Sequence, residues 1–90
     1  MARKVKKAVD YMEEAKGLVE EAWELVREHE HLFDDPDSIK LVWDLERVER
    51  KVLEAWSTGD KNLARSICYE ARRVYRYIKS HIDYYNSLSF

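Results

Sequence analysis

Hydrophobic residues recur along the chain in alternating steps of three and four, within three segments that polar stretches separate. This is the period of an α-helix, and the strict alternation of a β-strand does not occur in the sequence. The stripe of the first segment consists of Val5, Ala8, Met12, Ala15, Val19, Ala22, Val26 and His29, widened by Val9, Leu18 and Leu25. The stripe of the second segment consists of Leu41, Leu45, Val48, Val52 and Trp56. The stripe of the third segment consists of Ala64, Ile67, Ala71, Val74, Ile78, His81 and Tyr85.

The two polar stretches carry the residues that end one helix and begin the next. In the first stretch Asp35 can cap a helix, and Pro36 suits its first turn. In the second, Gly59 can adopt the left-handed conformation that ends a helix, and Asp60 can cap the helix that follows. These signals predict helices at about residues 2–32, 36–57 and 60–87. Because the loops are short, we expect an all-α fold, an antiparallel up-down-up three-helix bundle that forms a single domain over residues 1–90.

Composition and charge narrow the classes of partner. The net charge of −2 gives no general attraction to nucleic acid, and no apolar run approaches the ~20 residues that span a bilayer. The single cysteine excludes an internal disulfide and suits a reducing compartment or recombinant expression. We therefore expect a soluble chain, monomeric on its own, with no nucleic-acid or membrane partner and no cofactor. Its cellular location is unknown.

Charge is divided unevenly between the two ends of the chain. Residues 1–35 hold six basic and ten acidic side chains, a net −4, while residues 60–90 hold six basic and three acidic ones, a net +3. The first and third helices should therefore attract each other, which favours their packing.

The regular caps, short connections and runs of Glu, Lys, Arg, Leu and Val resemble those of computationally designed helical bundles. The resemblance is one of style, carried by Asp34-Asp35-Pro36-Asp37 and by Gly59-Asp60-Lys61 rather than by a functional motif. Such a scaffold implies a stable fold without chemistry of its own. Residues that depart from an idealised surface are then the ones placed for another purpose.

Those departures gather on one side of the third helix. At about 100° per residue, a stripe of side chains points away from the core face: Tyr69, Arg73, Arg76, Tyr77, Ser80 and Tyr84. Tyrosine and arginine supply rigid contact area with polar ends, as interfaces favour. The functional interpretation is a protein-recognition face, and the alternative is a solvated helix face.

A second candidate surface lies on the middle helix, where Ile39 and Trp43 point away from the core face. An exposed tryptophan beside an isoleucine can anchor a partner. The alternative is that Trp43 and Trp23 close a groove between two helices.

The chain offers few residues for metal binding or catalysis. His29, His31 and His81 fall near the same end of the bundle, but no two histidines are spaced as ligands on one helix. We therefore predict no metal site. Glu49, on the core side of the middle helix, has no second carboxylate or base beside it, so we assign it no catalytic role. We expect Cys68 to be a small buried hydrophobic residue.

Arg76 and His81 have the Arg-x4-His spacing that resembles the signature of HEPN-type ribonucleases. That resemblance implies an arginine and a histidine acting together on RNA. It covers six residues, and Tyr77 replaces the usual polar residue after the arginine.

The sequence therefore favours a non-catalytic interaction module or scaffold. It would bind a protein target, or present a grafted helical epitope to an antibody, mainly through the third helix. The alternatives are a folding design without a partner and a small HEPN-like domain that acts on RNA.

Overall fold

The computed structural model describes residues 5–88, and this range contains three α-helices and no strand. Helix α1 spans Ala8–Glu28, α2 spans Ile39–Glu54 and α3 spans Lys61–Ser87. The predicted all-α three-helix fold is confirmed. None of these described helices is long and apolar enough to cross a membrane.

Contacts between helices show their relative directions. Glu14 of α1 contacts Arg72 of α3, and Leu32, beyond the end of α1, contacts His81. Residues later in the first helical segment therefore contact residues later in α3, so α1 and α3 run parallel. Lys51, near the end of α2, contacts Glu70 in the first half of α3, so α2 runs antiparallel to them. This is the predicted up-down-up arrangement.

The core lies mainly between α1 and α3. The buried apolar residues of α1 are Ala8, Met12, Ala15, Val19, Ala22 and Val26. Those of α3 are Ala64, Ile67, Cys68, Ala71, Val74, Ile78 and Ile82. Helix α2 adds Leu45, Val48 and Val52, and the connection before it adds Phe33. Each fully buried Val, Leu, Ile, Met or Phe side chain contributes roughly 1.5–3 kcal/mol of transfer free energy.

Four residues assigned to the hydrophobic stripes are exposed instead. Val5 is 67% exposed because it precedes the first residue of α1, and Trp56 is 40% exposed because it follows the end of α2. Tyr85, in the last turn of α3, is 36% exposed, and Val9, in the first turn of α1, is 51% exposed. The rest of the predicted stripes lies buried or partly buried, so the helical period placed the core correctly.

Helix α1 is shorter than predicted at both ends. Residues 5–7 are not helical, and the carboxylate of Asp10 accepts a hydrogen bond from the Lys7 backbone N–H at 2.8 Å. Residues 2–4 of the predicted helix lie outside the described residues. After Glu28 the chain forms a turn and a single 3-10 turn at Glu30–Leu32, which lets Phe33 enter the core.

Asp35 organises the entry into α2, although the helix begins later than predicted. Its carboxylate accepts a hydrogen bond from the Ser38 N–H at 2.7 Å, and its backbone carbonyl accepts one from the Ile39 N–H at 3.0 Å. The hydrogen bonds from Ser38 hold the pKa of the Asp35 carboxyl below its usual range. Pro36 therefore lies in a turn before the helix rather than in its first turn.

The turn between α2 and α3 has a different backbone conformation from the one predicted. No glycine in residues 5–88 has a positive φ, so the left-handed conformation expected at Gly59 is wrong. The turn is closed by Thr58, whose hydroxyl oxygen accepts a hydrogen bond from the Asp60 N–H at 3.0 Å. The predicted cap is present, since the Asp60 carboxylate accepts hydrogen bonds from Asn62 and Leu63 at 3.0 and 3.2 Å.

Candidate protein-interaction face

The outer side of α3 presents a continuous set of exposed side chains. We call it the α3 outer face: Tyr69, Arg73, Arg76, Tyr77, Ser80 and Tyr84. All six are exposed, and the three tyrosines retain 50%, 55% and 60% of their accessible surface. At 1.5 Å per residue the face is roughly 22 Å long. The structure thus brings these six residues onto one face and leaves it open.

The arginine and serine side chains of this face form no ion pair or hydrogen bond within residues 5–88. The guanidinium groups of Arg73 and Arg76 form no ion pair there, and the Ser80 hydroxyl forms no hydrogen bond. Glu70, at the edge of the face, is occupied by Lys51, whose amino group lies 2.8 Å from one carboxylate oxygen. The face therefore presents unneutralised positive charge between its aromatic rings.

Two of the three tyrosines are held in place from the side. The guanidinium of Arg72 lies 5.2 Å from the centre of the Tyr69 ring, and Glu14 anchors that guanidinium. At the other end, the Tyr84 ring meets Tyr85 edge-on at 5.4 Å. Because these rings are already positioned, a partner has less side-chain entropy to remove on binding.

Shallow depressions lie beside the rings. One of about 350 Å³ lies between Tyr69 and Tyr77, and Arg72, Arg73 and Arg76 complete its lining. A second of about 430 Å³ lies towards the start of α3 and is lined by Asn62, Arg65, Ser66, Tyr69, Glu70 and Arg73. Ridges of tyrosine separated by depressions suit interdigitation with a partner's side chains.

On α2, the predicted Ile39 and Trp43 pair is only half exposed. Trp43 keeps 55% of its surface, but Ile39 is partly buried and lines a groove with Val26 and Val42. The expectation of an exposed Ile39 is wrong, because its side chain is partly buried in a groove that Phe33 and Asp34 of the preceding connection also line. Within residues 5–88, no ring contact joins Trp43 to Trp23.

Two of the three histidines contact backbone carbonyl oxygens. His29 Nδ1 lies 3.0 Å from the carbonyl oxygen of Leu25, and His81 Nε2 lies 2.6 Å from that of Leu32. The described residues contain no group of three His, Cys, Asp or Glu side chains that could hold a metal ion.

Arg76 and His81 are not brought together. Five residues at 100° each place them about 140° apart around the helix. Arg76 is exposed, whereas the centre of the His81 ring lies 5.0 Å from the centre of the Phe33 ring. Glu49 is partly buried beside the groove between α1 and α2, where Val52 and Trp56 also lie.

A polar cluster between α1 and α3 was not predicted from the sequence. The Glu14 carboxylate accepts hydrogen bonds from the Arg72 guanidinium, from the Lys6 ammonium at 3.1 Å and from the Cys68 thiol at 3.3 Å. Glu14 and Arg72 each keep only 34% of their side-chain surface. One carboxylate therefore ties together two helices and the segment before α1.

The cluster changes the acidity of its members. The hydrogen bond from Arg72, helped by those from Lys6 and Cys68, lowers the pKa of the Glu14 carboxyl to about 2. Burial, together with the neighbouring Glu14 carboxylate, raises the pKa of the Cys68 thiol to about 11. At neutral pH the carboxylate is charged and the thiol is protonated, so Cys68 is a poor nucleophile.

A sequence signal for this cluster existed. Glu14 and Arg72 each adjoin a buried alanine, Ala15 or Ala71, and they carry the opposite charges that distinguish the two ends of the chain. To predict that they pair, one must know how far α1 is shifted along its axis relative to α3. The helical period of each segment does not determine that shift.

Comparisons with protein-family models, with curated proteins and with solved structures find no match for this chain.

Proposed function

We propose that the chain is a non-catalytic interaction module that binds a protein partner through the α3 outer face. The observation that supports this most directly is the row of three exposed tyrosines with two unpaired arginines between them. A side chain kept only for folding gains nothing from such a position. Tyrosine and arginine are the residues that contribute most to binding energy at interfaces.

The charge of the face indicates the chemistry of its partner. Arg73 and Arg76 offer planar guanidinium groups that pair best with carboxylates. We infer that the partner, whether a target protein or an antibody, presents Asp or Glu side chains around an apolar patch. Because these charges are exposed, binding should weaken as salt is added.

The rigid bundle supports the same proposal. Ala71, Val74 and Ile78 hold the opposite side of α3 in the core, so the face does not need to order on binding. The regular caps and short loops that resemble designed bundles supply such a scaffold.

Photo-crosslinking tests the proposal. A photo-reactive phenylalanine analogue is placed at position 77 in one variant and at position 24, exposed on α1, in a matched control. A protein that binds through α3 should be captured from position 77 and not from position 24.

The captured protein is then purified and its affinity is measured by calorimetry. The double variant Tyr77→Ala/Tyr84→Ala should lose at least tenfold in affinity, while Glu24→Ala should retain it. Equal affinity of the double variant and the unchanged chain would show that the α3 outer face is the wrong surface.

A further inference from the structure

The outer side of α2 carries a second stripe, formed by Trp43, Glu46, Arg50 and Leu53. Their spacing of three, four and three residues places them within about 80° of one another around the helix. Trp43 is 55% exposed, and Leu53, at 72%, is the most exposed large hydrophobic side chain within residues 5–88. Glu46 and Arg50 between them are also exposed. We call these four residues the α2 outer stripe.

The two charges of the stripe are free. Glu46 and Arg50 are four residues apart, at the spacing of an ion pair along a helix. Neither forms an ion pair within residues 5–88, whereas the adjacent Arg47 lies 3.5 Å from Asp44. Each apolar residue of the stripe therefore has an unpaired charge three residues away.

The stripe is complementary to itself. Spacing of three and four is that of a coiled-coil seam, in which an antiparallel pair sets the first position of one helix against the fourth position of the other. In that register Trp43 faces Leu53 of a second copy, and Glu46 faces Arg50 of the second copy. The two-fold axis repeats both contacts, so apolar meets apolar twice and negative meets positive twice.

A parallel pair would destroy this match. It would set Glu46 against Glu46 and Arg50 against Arg50, and like charges in contact are unfavourable. The charge pattern thus selects both the partner and its direction.

We propose that the α2 outer stripe is a dimerisation surface whose occupant is the same stripe of a second copy of this chain, antiparallel to the first. The contact from Trp43 to Leu53 is roughly 15 Å long. It is smaller than the interfaces of permanent dimers, so the dimer is weak and depends on concentration. The chain is then a monomer when dilute, as the sequence predicts. The α3 outer face lies on another helix and remains available.

Charge reversal provides the test, measured by sedimentation equilibrium over about 10 μM to 1 mM. Glu46→Arg and Arg50→Glu should each weaken the dimer at least tenfold, because both charged contacts become repulsive. An equimolar mixture of these two variants should form a heterodimer within about threefold of the original affinity, because Arg now faces Glu at both contacts. The double variant Glu46→Arg/Arg50→Glu should recover the homodimer for the same reason. Arg73→Glu, on α3, is the control and should leave dimerisation unchanged.

Three results would overturn the proposal: a chain that stays monomeric at the highest concentration, a dimer that survives both single reversals, or a mixture that does not associate. Circular dichroism of each variant shows whether the bundle is intact. The mixture is informative even if one variant is destabilised, because only a pairing of stripes restores association when two monomers are combined.

Discussion

Replacing Glu14 by glutamine removes the carboxylate that joins α1 to α3 while keeping the length of the side chain. Its pKa in the folded chain is about 2, against 4.5 for a free glutamate. That difference corresponds to at most roughly 3.4 kcal/mol at 1.36 kcal/mol per pKa unit. The side chain is 34% exposed, so solvent screening reduces the contribution, and we expect Glu14→Gln to cost about 1–2 kcal/mol at pH 7.

The pH dependence of this cost has a definite sign. A carboxyl whose pKa is lower in the folded state stabilises the fold above its unfolded pKa and ceases to do so as pH falls through its folded pKa. For Glu14 that window runs from 4.5 down to about 2. The difference in stability between the unchanged chain and Glu14→Gln should therefore be constant near neutrality and narrow within this window.

Urea unfolding followed by circular dichroism at a series of pH values measures the effect. With a slope of about 1 kcal/mol per molar urea, the midpoint at pH 7 should fall by about 1–2 M. Glu24→Gln is the matched control, since Glu24 is exposed and has no partner within residues 5–88, and it should stay within about 0.5 kcal/mol. A double-mutant cycle with Arg72→Gln should assign most of the cost to the pair. If Glu14→Gln and Glu24→Gln behave alike at every pH, the Glu14 carboxylate does not stabilise the packing of α1 against α3.

Gly17 lies on α1, and the methyl group that Gly17→Ala adds meets no atom within 4 Å. The substitution should raise the free energy of unfolding, measured by thermal melts, by about 1 kcal/mol. A decrease would contradict the open space around this position. Gly59→Ala should cost nothing beyond about 0.5 kcal/mol, because its φ is not positive, and a larger loss would point back to a left-handed turn. Asp60→Ala removes the α3 cap and should lower Tm by about 4–8 °C, with Asp37→Ala as the unaffected control. The Cys68 thiol is buried, and its pKa is raised to about 11. At pH 8 it should therefore react with a thiol reagent at least ~100-fold more slowly in the folded chain than in guanidinium chloride. Fast labelling of the folded chain would contradict its burial.

The helical period predicted the parts of the fold that depend on one helix at a time. Met12, Val74 and Ile78 are buried because each lies in the middle of a stripe, and Tyr77 is exposed because it lies opposite one. The Asp60 cap was predictable for the same reason, since a cap involves only its own first turn.

Features that depend on how segments meet were not predictable in the same way. Ile39 is partly buried in a groove that it shares with Phe33 and Asp34 of the preceding connection, and no periodicity describes that groove. The residue type of Gly59 favours a left-handed φ, whereas Thr58 closes the turn without that conformation. The Glu14 and Arg72 pair requires the vertical offset between α1 and α3, and many offsets satisfy the same hydrophobic stripes.

The division of the core between helices has a consequence for how the molecule opens. Helix α2 supplies three buried side chains, whereas α1 supplies six and α3 seven. Detaching α2 therefore exposes less apolar surface than separating α1 from α3, so α2 forms the least stable cooperative unit of the bundle. Its amide protons should exchange with deuterated solvent through a lower-energy opening than those in the middle of α3. Because Glu14 joins α1 to α3, these two helices would stay packed while α2 detaches. The α3 outer face would therefore keep its tyrosines aligned.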